Sequence, residues 1–215
     1  MILYAGISFF VSALGAWLGL MWAAKHGSGI DKAMWTYVVP TLCGVLSALL
    51  IAILADEQAT LLVFTICLFF GLSLVAAADC QSGLIPDIAV IGLAILALIG
   101  LAVLKLQAWP LFILGAILGA GLLWSLRVLY KRARGLYGLG LGDVKLMAVC
   151  GGLLGPFYVG YAIALGAAAT LFWLMIFKRD ALKTGQLKIP FGPGLCFGIG
   201  ALWVYQIRGG QYGTI

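Results

Sequence analysis

Charge is scarce in this chain. Of its 215 residues only 9% are Asp, Glu, Lys or Arg, while 64% are apolar; an average soluble domain carries about 25% charged residues. Folding at this length buries only about 70% of the surface an unfolded chain exposes, so much of the apolar surface has to face lipid. Histidine is rarer still. The single one, His26, reads as a loop residue, which rules out HExxH zinc hydrolysis and leaves Ser-His catalysis without support. The five cysteines, Cys43, Cys67, Cys80, Cys150 and Cys196, form no CxxC pair. They read as small buried thiols, not as disulfides or metal ligands. No Pro/Ser-rich linker or low-complexity tract divides the chain, so residues 1–215 read as one integral membrane domain. The net charge of +6 does not suggest nucleic acid, because the basic residues fall in short loops and not in a folded basic patch.

What is abundant is apolar sequence in runs. A helix needs about 20 apolar residues to cross the hydrocarbon core, and eight segments meet or approach that: 2–23, 34–55, 59–78, 88–104, 111–129, 143–155, 156–177 and 191–207. The expectation is an all-α polytopic membrane protein of about eight transmembrane helices. Two of these are N-terminal helices within 1–58, and six form a catalytic core at 59–207. The segment 143–155 is short and glycine-rich and reads as a tilted or partial span. Residues 2–23 read as a first span and not as a cleavable signal peptide, because no positive residue precedes them. Small residues recur within the runs, as at Gly115, Gly119 and Gly121 and from Gly166 to Ala169. In lipid such residues let helices approach closely, and they read as packing faces.

Orientation follows from the positive residues. With the loop at 24–33 in the cytoplasm and strict alternation, every Lys and Arg except Lys105 and Arg208 lies inside. Both termini are then extracytoplasmic. Lys131, Arg132 and Arg134 would meet anionic lipid headgroups.

There are only seven acidic residues, so each can be placed. Asp56 and Glu57 fall in an external turn, and Asp31 and Asp180 lie among basic residues in loops. Asp79, Asp87 and Asp143 remain, all at cytoplasmic edges of apolar segments. A carboxylate at the bilayer centre costs about 2.5–3.5 kcal/mol on insertion scales, less near the interface, so such residues are candidate functional groups. Asp143 opens a helix, where Asp is a good cap. Asp87, after Ile85-Pro86, reads chiefly as a cap. Asp79 stands at a helix C-terminus, where the macrodipole disfavours negative charge, so capping explains it least. Two carboxylates on one side of a membrane can share a proton and activate water. Intramembrane aspartates can equally serve an ion-coupled transporter. Gly138, Gly140 and Gly142, ahead of Asp143, can take positive φ or admit a close backbone, and would let this loop close over a bound substrate.

Three blocks now carry a resemblance. Asp79-Cys-Gln-Ser-Gly-Leu-Ile-Pro-Asp87, Gly140-Leu-Gly-Asp143-Val-Lys145-Leu146 and Ile189-Pro190-Phe-Gly192-Pro193 with Gly194-Leu-Cys-Phe-Gly198 resemble, in order, the motifs of the type IV prepilin leader peptidases, within the GxGD class of membrane aspartyl proteases. The resemblance covers about residues 59–207. It implies that Asp79 and Asp143 are the catalytic aspartates, and that Asp87, Gly140, Gly142, Lys145, Pro190 and Gly192 are supporting motif positions. It also implies prepilins and pseudopilins with short basic leaders as substrates, cut at the cytoplasmic membrane face, and neither cofactor nor metal.

Larger bifunctional members carry a cysteine-containing cytoplasmic insertion after the first span and also N-methylate the product. Here that place holds only Lys25 to Lys32, so the resemblance is to the short form and methyl transfer is not expected. The Ile-Pro-Phe-Gly-Pro block leans toward a bacterial inner-membrane protein. A presenilin-like protease cutting inside the bilayer is the alternative within the class. Nothing in the sequence sets an oligomeric state.

Overall fold

Glycine and proline divide the apolar sequence into six helices in a computed structural model, which describes residues 59–135, 138–177 and 190–209. These are α1 (Ala59–Ser82), α2 (Asp87–Val103), α3 (Trp109–Arg134), α4 (Leu141–Leu154), α5 (Pro156–Phe177) and α6 (Gly192–Arg208). The described residues are all helix and connection, as composition requires. The two N-terminal spans expected within 1–58, His26 and Cys43 lie outside the described residues.

Three helical segments are long and apolar enough to cross a membrane: Val63–Ser82, Trp109–Arg134 and Pro156–Met175. α2 is apolar but shorter. Their outward side chains are hydrophobic, with Ile88 75% and Phe157 78% exposed. In water this surface would drive aggregation; in lipid it is the solvent-matched face. The chain is a membrane protein.

Contacts between neighbouring helices show that they run antiparallel. Gly71 of α1 faces Leu93 of α2, and Gly100 faces Phe64. Gly115 and Gly119 of α3 meet the backbone of Gly151 and Met147 in α4, while Ala162 and Gly166 of α5 meet Gly198 and Gly194 of α6. α6 also returns along α1, where the Trp203 indole N–H donates to Thr65 Oγ1 at 3.2 Å and the Phe64 and Trp203 rings lie 5.3 Å apart. This alternation gathers the end of α1, the starts of α2, α4 and α6, and the end of α3 at one pole of the bundle. Asp79, Asp87 and Asp143 all belong to that pole.

The glycine faces are real at most of the expected positions, because backbone lies where a side chain would stand. Gly121 is the exception, with open space beside it. A Cβ at Gly115 would collide with the carbonyl oxygen of Gly151, which is backbone and cannot swing away. Gly115→Ala should therefore destabilise the α3–α4 pair by about 1–3 kcal/mol, the usual cost of overpacking. Thermal unfolding in detergent reads this directly, and an unchanged midpoint would contradict the packing.

Helix ends differ most from the hydropathy reading in α1 and α3, while α4 is short as its sequence suggested. α1 continues beyond residue 78 to Ser82, because Cys80 and Gln81 do not break a helix; it stops at Gly83, whose φ is 63°. α3 runs from Trp109 to Arg134 and so exceeds the apolar stretch 111–129 at both ends. Its last turn carries Lys131, Arg132 and Arg134, where positive charge suits the macrodipole. Gly135, in the left-handed region at φ 72°, closes it with an N–H donated to Lys131 O at 2.8 Å. α4 has 14 residues, about 21 Å of helix at 1.5 Å per residue, and is too short to cross a hydrocarbon core of about 30 Å.

Of the cysteines, Cys80, Cys150 and Cys196 are buried as expected, whereas Cys67 is exposed on the bundle's outer surface.

Candidate active site

Asp79 lies in the last turn of α1 and is 7% exposed; Asp143 lies in the first turn of α4 and is 6% exposed. Although separated by 64 positions in the chain (143 − 79), the two buried carboxylates stand at the same pole of the bundle. Buried carboxylates persist only with hydrogen-bond support, and each has one backbone donor. The Gly192 N–H, at the start of α6, donates to Asp79 Oδ2 at 2.8 Å. The Gly140 N–H donates to Asp143 Oδ2 at 3.2 Å. The helix opens earlier than its sequence suggested: Gly140 is the N-cap, and Asp143, the third helical residue, takes the capping-box bond from the Gly140 N–H with one oxygen. Its Oδ1 is buried and has no hydrogen-bond partner.

The glycines of the motifs act by taking up little space. None of Gly138, Gly140 and Gly142 has positive φ. Gly138 lies under the Tyr130 ring, and a Cβ on Gly142 would stand 2.7 Å from Ile85 Cβ. The Ile85-Pro86-Asp87 turn therefore packs directly on the Gly140-Leu-Gly-Asp143 turn, which is how two distant blocks become one site. A Cβ on Gly192 would stand 2.6 Å from Asp79 Oδ2, so glycine is what lets the α6 backbone reach that carboxylate. Pro190 is half-buried in the approach to α6, while Ile189 and the preceding loop lie outside the described residues.

Asp87 requires a correction. The N-cap of α2 is Pro86, and Asp87 is the first helical residue, making no cap hydrogen bond. Its carboxylate instead accepts from Lys145 Nζ at 2.7 Å, joining α2 to the first turn of α4. Both side chains are more than half exposed, and an exposed pair of this kind contributes about 0–1 kcal/mol. Its value lies in register: it pins the two turns that carry Ile85 and Gly142. The pair was not apparent from sequence because the two motifs meet only in three dimensions.

Among the described residues no group of His, Cys, Asp and Glu is arranged to hold a metal ion. What the pole presents is two buried carboxylates, each held through its Oδ2 by one backbone N–H, with Asp143 Oδ1 buried and without a donor. Such a pair can hold a shared proton and orient a water.

Known sequences resemble this chain across the site. The type IV leader peptidase family model matches residues 62–177, a stretch that includes both buried aspartates. A prepilin leader peptidase/N-methyltransferase of Burkholderia pseudomallei is 32% identical over 169 residues, 72% of this chain and 50% of that protein. One from Pseudomonas aeruginosa is 34% identical over 144 residues, 65% of this chain and 49% of its own length. One from Dickeya chrysanthemi is 30% identical over 200 residues, 91% of this chain and 68% of its own. The chain spans about half the length of most of the curated relatives it matches. No solved structure matches it. With over half its length matched and both carboxylates inside the match, the chain belongs to the type IV leader peptidase family.

Proposed function

We propose that this chain is a membrane aspartyl endopeptidase that removes leader peptides from prepilin-type substrates at the cytoplasmic face of a bacterial inner membrane. The observation that carries the reading is the pair of buried carboxylates, Asp79 and Asp143, at one pole of the bundle, each held by a backbone N–H. Relatives named prepilin leader peptidase/N-methyltransferase supply the substrate class. The proposal is confined to the proteolytic half of that name.

In this reading one carboxylate is ionised and takes a proton from water as the water oxygen attacks the scissile carbonyl carbon. The other, protonated, donates to the carbonyl oxygen, giving a neutral gem-diol intermediate. Its collapse breaks the C–N bond, and a proton passes to the leaving amine. The proton is shared by the pair, so acid and base roles are not divided between Asp79 and Asp143. Asp143 Oδ1, buried and without a hydrogen-bond donor from the protein, is one place where that water would be held.

Placing the pole in the cytoplasm rests on charge. Among the described residues Lys131, Arg132, Arg134 and Lys145 stand at that end, and Lys105 and Arg208 at the other. The N-terminus is then extracytoplasmic.

The test is direct. Purified protein in detergent, mixed with a prepilin, should give a shortened product whose new N-terminus, by mass spectrometry, lies just before the hydrophobic segment. An intact substrate after long incubation, with an authentic leader peptidase active in parallel, removes the reading and favours an ion-pathway role for the aspartates.

A further inference from the structure

The short helix α4 raises a physical problem. A helix leaves four terminal carbonyls without intrahelical donors, and α4 ends after about 21 Å, inside the hydrocarbon if Asp143 stands near the interface. In hydrocarbon such carbonyls need donors from the protein itself. The structure accounts for all four. Gly151 O accepts from the Gly155 N–H at 2.9 Å. Gly152 O accepts from Gln107 Nε2, which also reaches Leu153 O at 3.4 Å. Leu154 O accepts from Gln206 Nε2 at 2.7 Å.

These two glutamines come from elsewhere in the fold. Gln107 lies in the α2–α3 connection and Gln206 near the end of α6. Gln206 is buried among apolar neighbours, where an amide would be expensive without partners. Gly155, at φ 81°, makes Gln107's approach possible: a Cβ there would stand 2.8 Å from Gln107 Oε1.

α4 is therefore held at both ends. Its first turn carries Asp143, and its last turn hangs from α6, the helix whose first residue holds Asp79 through the Gly192 N–H. From Gly192 to Gln206 is about 21 Å of helix, and from Asp143 to Leu154 about 16 Å. The α6 rod thus sets the height of α4 at one end and the place of Asp79 at the other. We infer that Gln107 and Gln206 are positioning residues that fix the depth of Asp143 relative to Asp79. This rests on the reading of those aspartates as the catalytic pair.

The experiment uses Gln107→Met and Gln206→Met, which keep the side-chain length and remove the amide donor. Two readouts are taken. In the cleavage assay each variant should lose about tenfold or more in kcat with KM within about twofold of wild type, because the pair is misplaced while the docking surface is intact. Independently of activity, spin labels on Leu84→Cys and Leu141→Cys, both exposed positions, report the distance between the two turns. With Cys43 and Cys67 changed to alanine as background, that distance should shift or broaden by about 1.5 Å or more, one residue's rise.

An unchanged distance together with wild-type kcat overturns the inference. So does a loss of activity that only follows the fraction of folded protein, judged by the thermal midpoint. If Gln206→Met does not fold, Gln206→Asn keeps the donor but withdraws it by one methylene and is read the same way. A wild-type chain that cleaves nothing condemns the protease reading, and the label distances still decide whether the glutamines position α4.

Discussion

Asp143→Asn should reduce leader cleavage by about 10²–10⁴-fold, the range that a positioned acid or base contributes, with no comparable change in stability. The reason is structural. Asn has nearly the same shape as Asp, and its carbonyl oxygen can keep the hydrogen bond that Gly140 N–H gives to Oδ2. What it cannot do is carry or accept the proton that attack by water requires. Asp79→Asn should behave alike, with the Gly192 N–H still satisfied. If the two carboxylates work as a unit, the double variant should lose little more than either single one, because removing one member already disables the pair. The measurement is kcat on a purified prepilin, beside a thermal midpoint for each variant. Persistent cleavage by Asp143→Asn would show that the carboxylates are not the proton carriers.

Gly192→Ala should be nearly as damaging although it removes no functional group. An added Cβ would stand 2.6 Å from Asp79 Oδ2, 2.9 Å from its Cγ and 3.0 Å from its Cβ. The obstacle is the carboxylate itself, not the far end of a flexible chain, so either the side chain of Asp79 turns away or α6 retreats. Both outcomes break the hydrogen bond from Gly192 N–H. A displacement near 1 Å at a reacting group can cost about 10²-fold, and that is the loss expected in kcat, with substrate affinity nearly unchanged. Full activity in Gly192→Ala would mean that Asp79 does not need its present place.

The two proposals draw on different parts of the fold. Asp143→Asn asks whether the chemistry is right, and Gly192→Ala asks whether the geometry is needed. The glutamine variants ask what sets that geometry from the other end of α4. The Asp87–Lys145 pair adds register between the two motif turns but little energy, because both groups remain largely in contact with solvent or headgroups.

Much of the site was legible because acids are costly in lipid. With so few carboxylates in the chain, each one near an apolar run needed an explanation, and that alone singled out Asp79 and Asp143. Asp87 was also singled out but assigned to capping, since a residue after Pro at a helix start usually caps; its partner Lys145 is 58 positions away and invisible to local rules. Gln107 and Gln206 went unnoticed for a related reason. They carry no charge and titrate nothing, and the only signal was an amide set in or beside an apolar run. The glycines before Asp143 were noticed but for two possible reasons, and only packing selected close approach over positive φ.

Composition and hydropathy by themselves determined that this is a helical membrane protein, roughly where its spans begin, and which acids were suspect. Those are local properties: a residue's transfer free energy and its neighbours in the chain suffice to read them. The tertiary structure alone decided that the Ile85 turn packs on the Gly140–Asp143 turn, that backbone N–H groups of Gly192 and Gly140 hold the two carboxylates, and that two amides complete a helix too short to span. Those depend on which helix faces which. In lipid that choice is made by close packing of small residues and by satisfying every backbone group, and neither can be summed along a sequence.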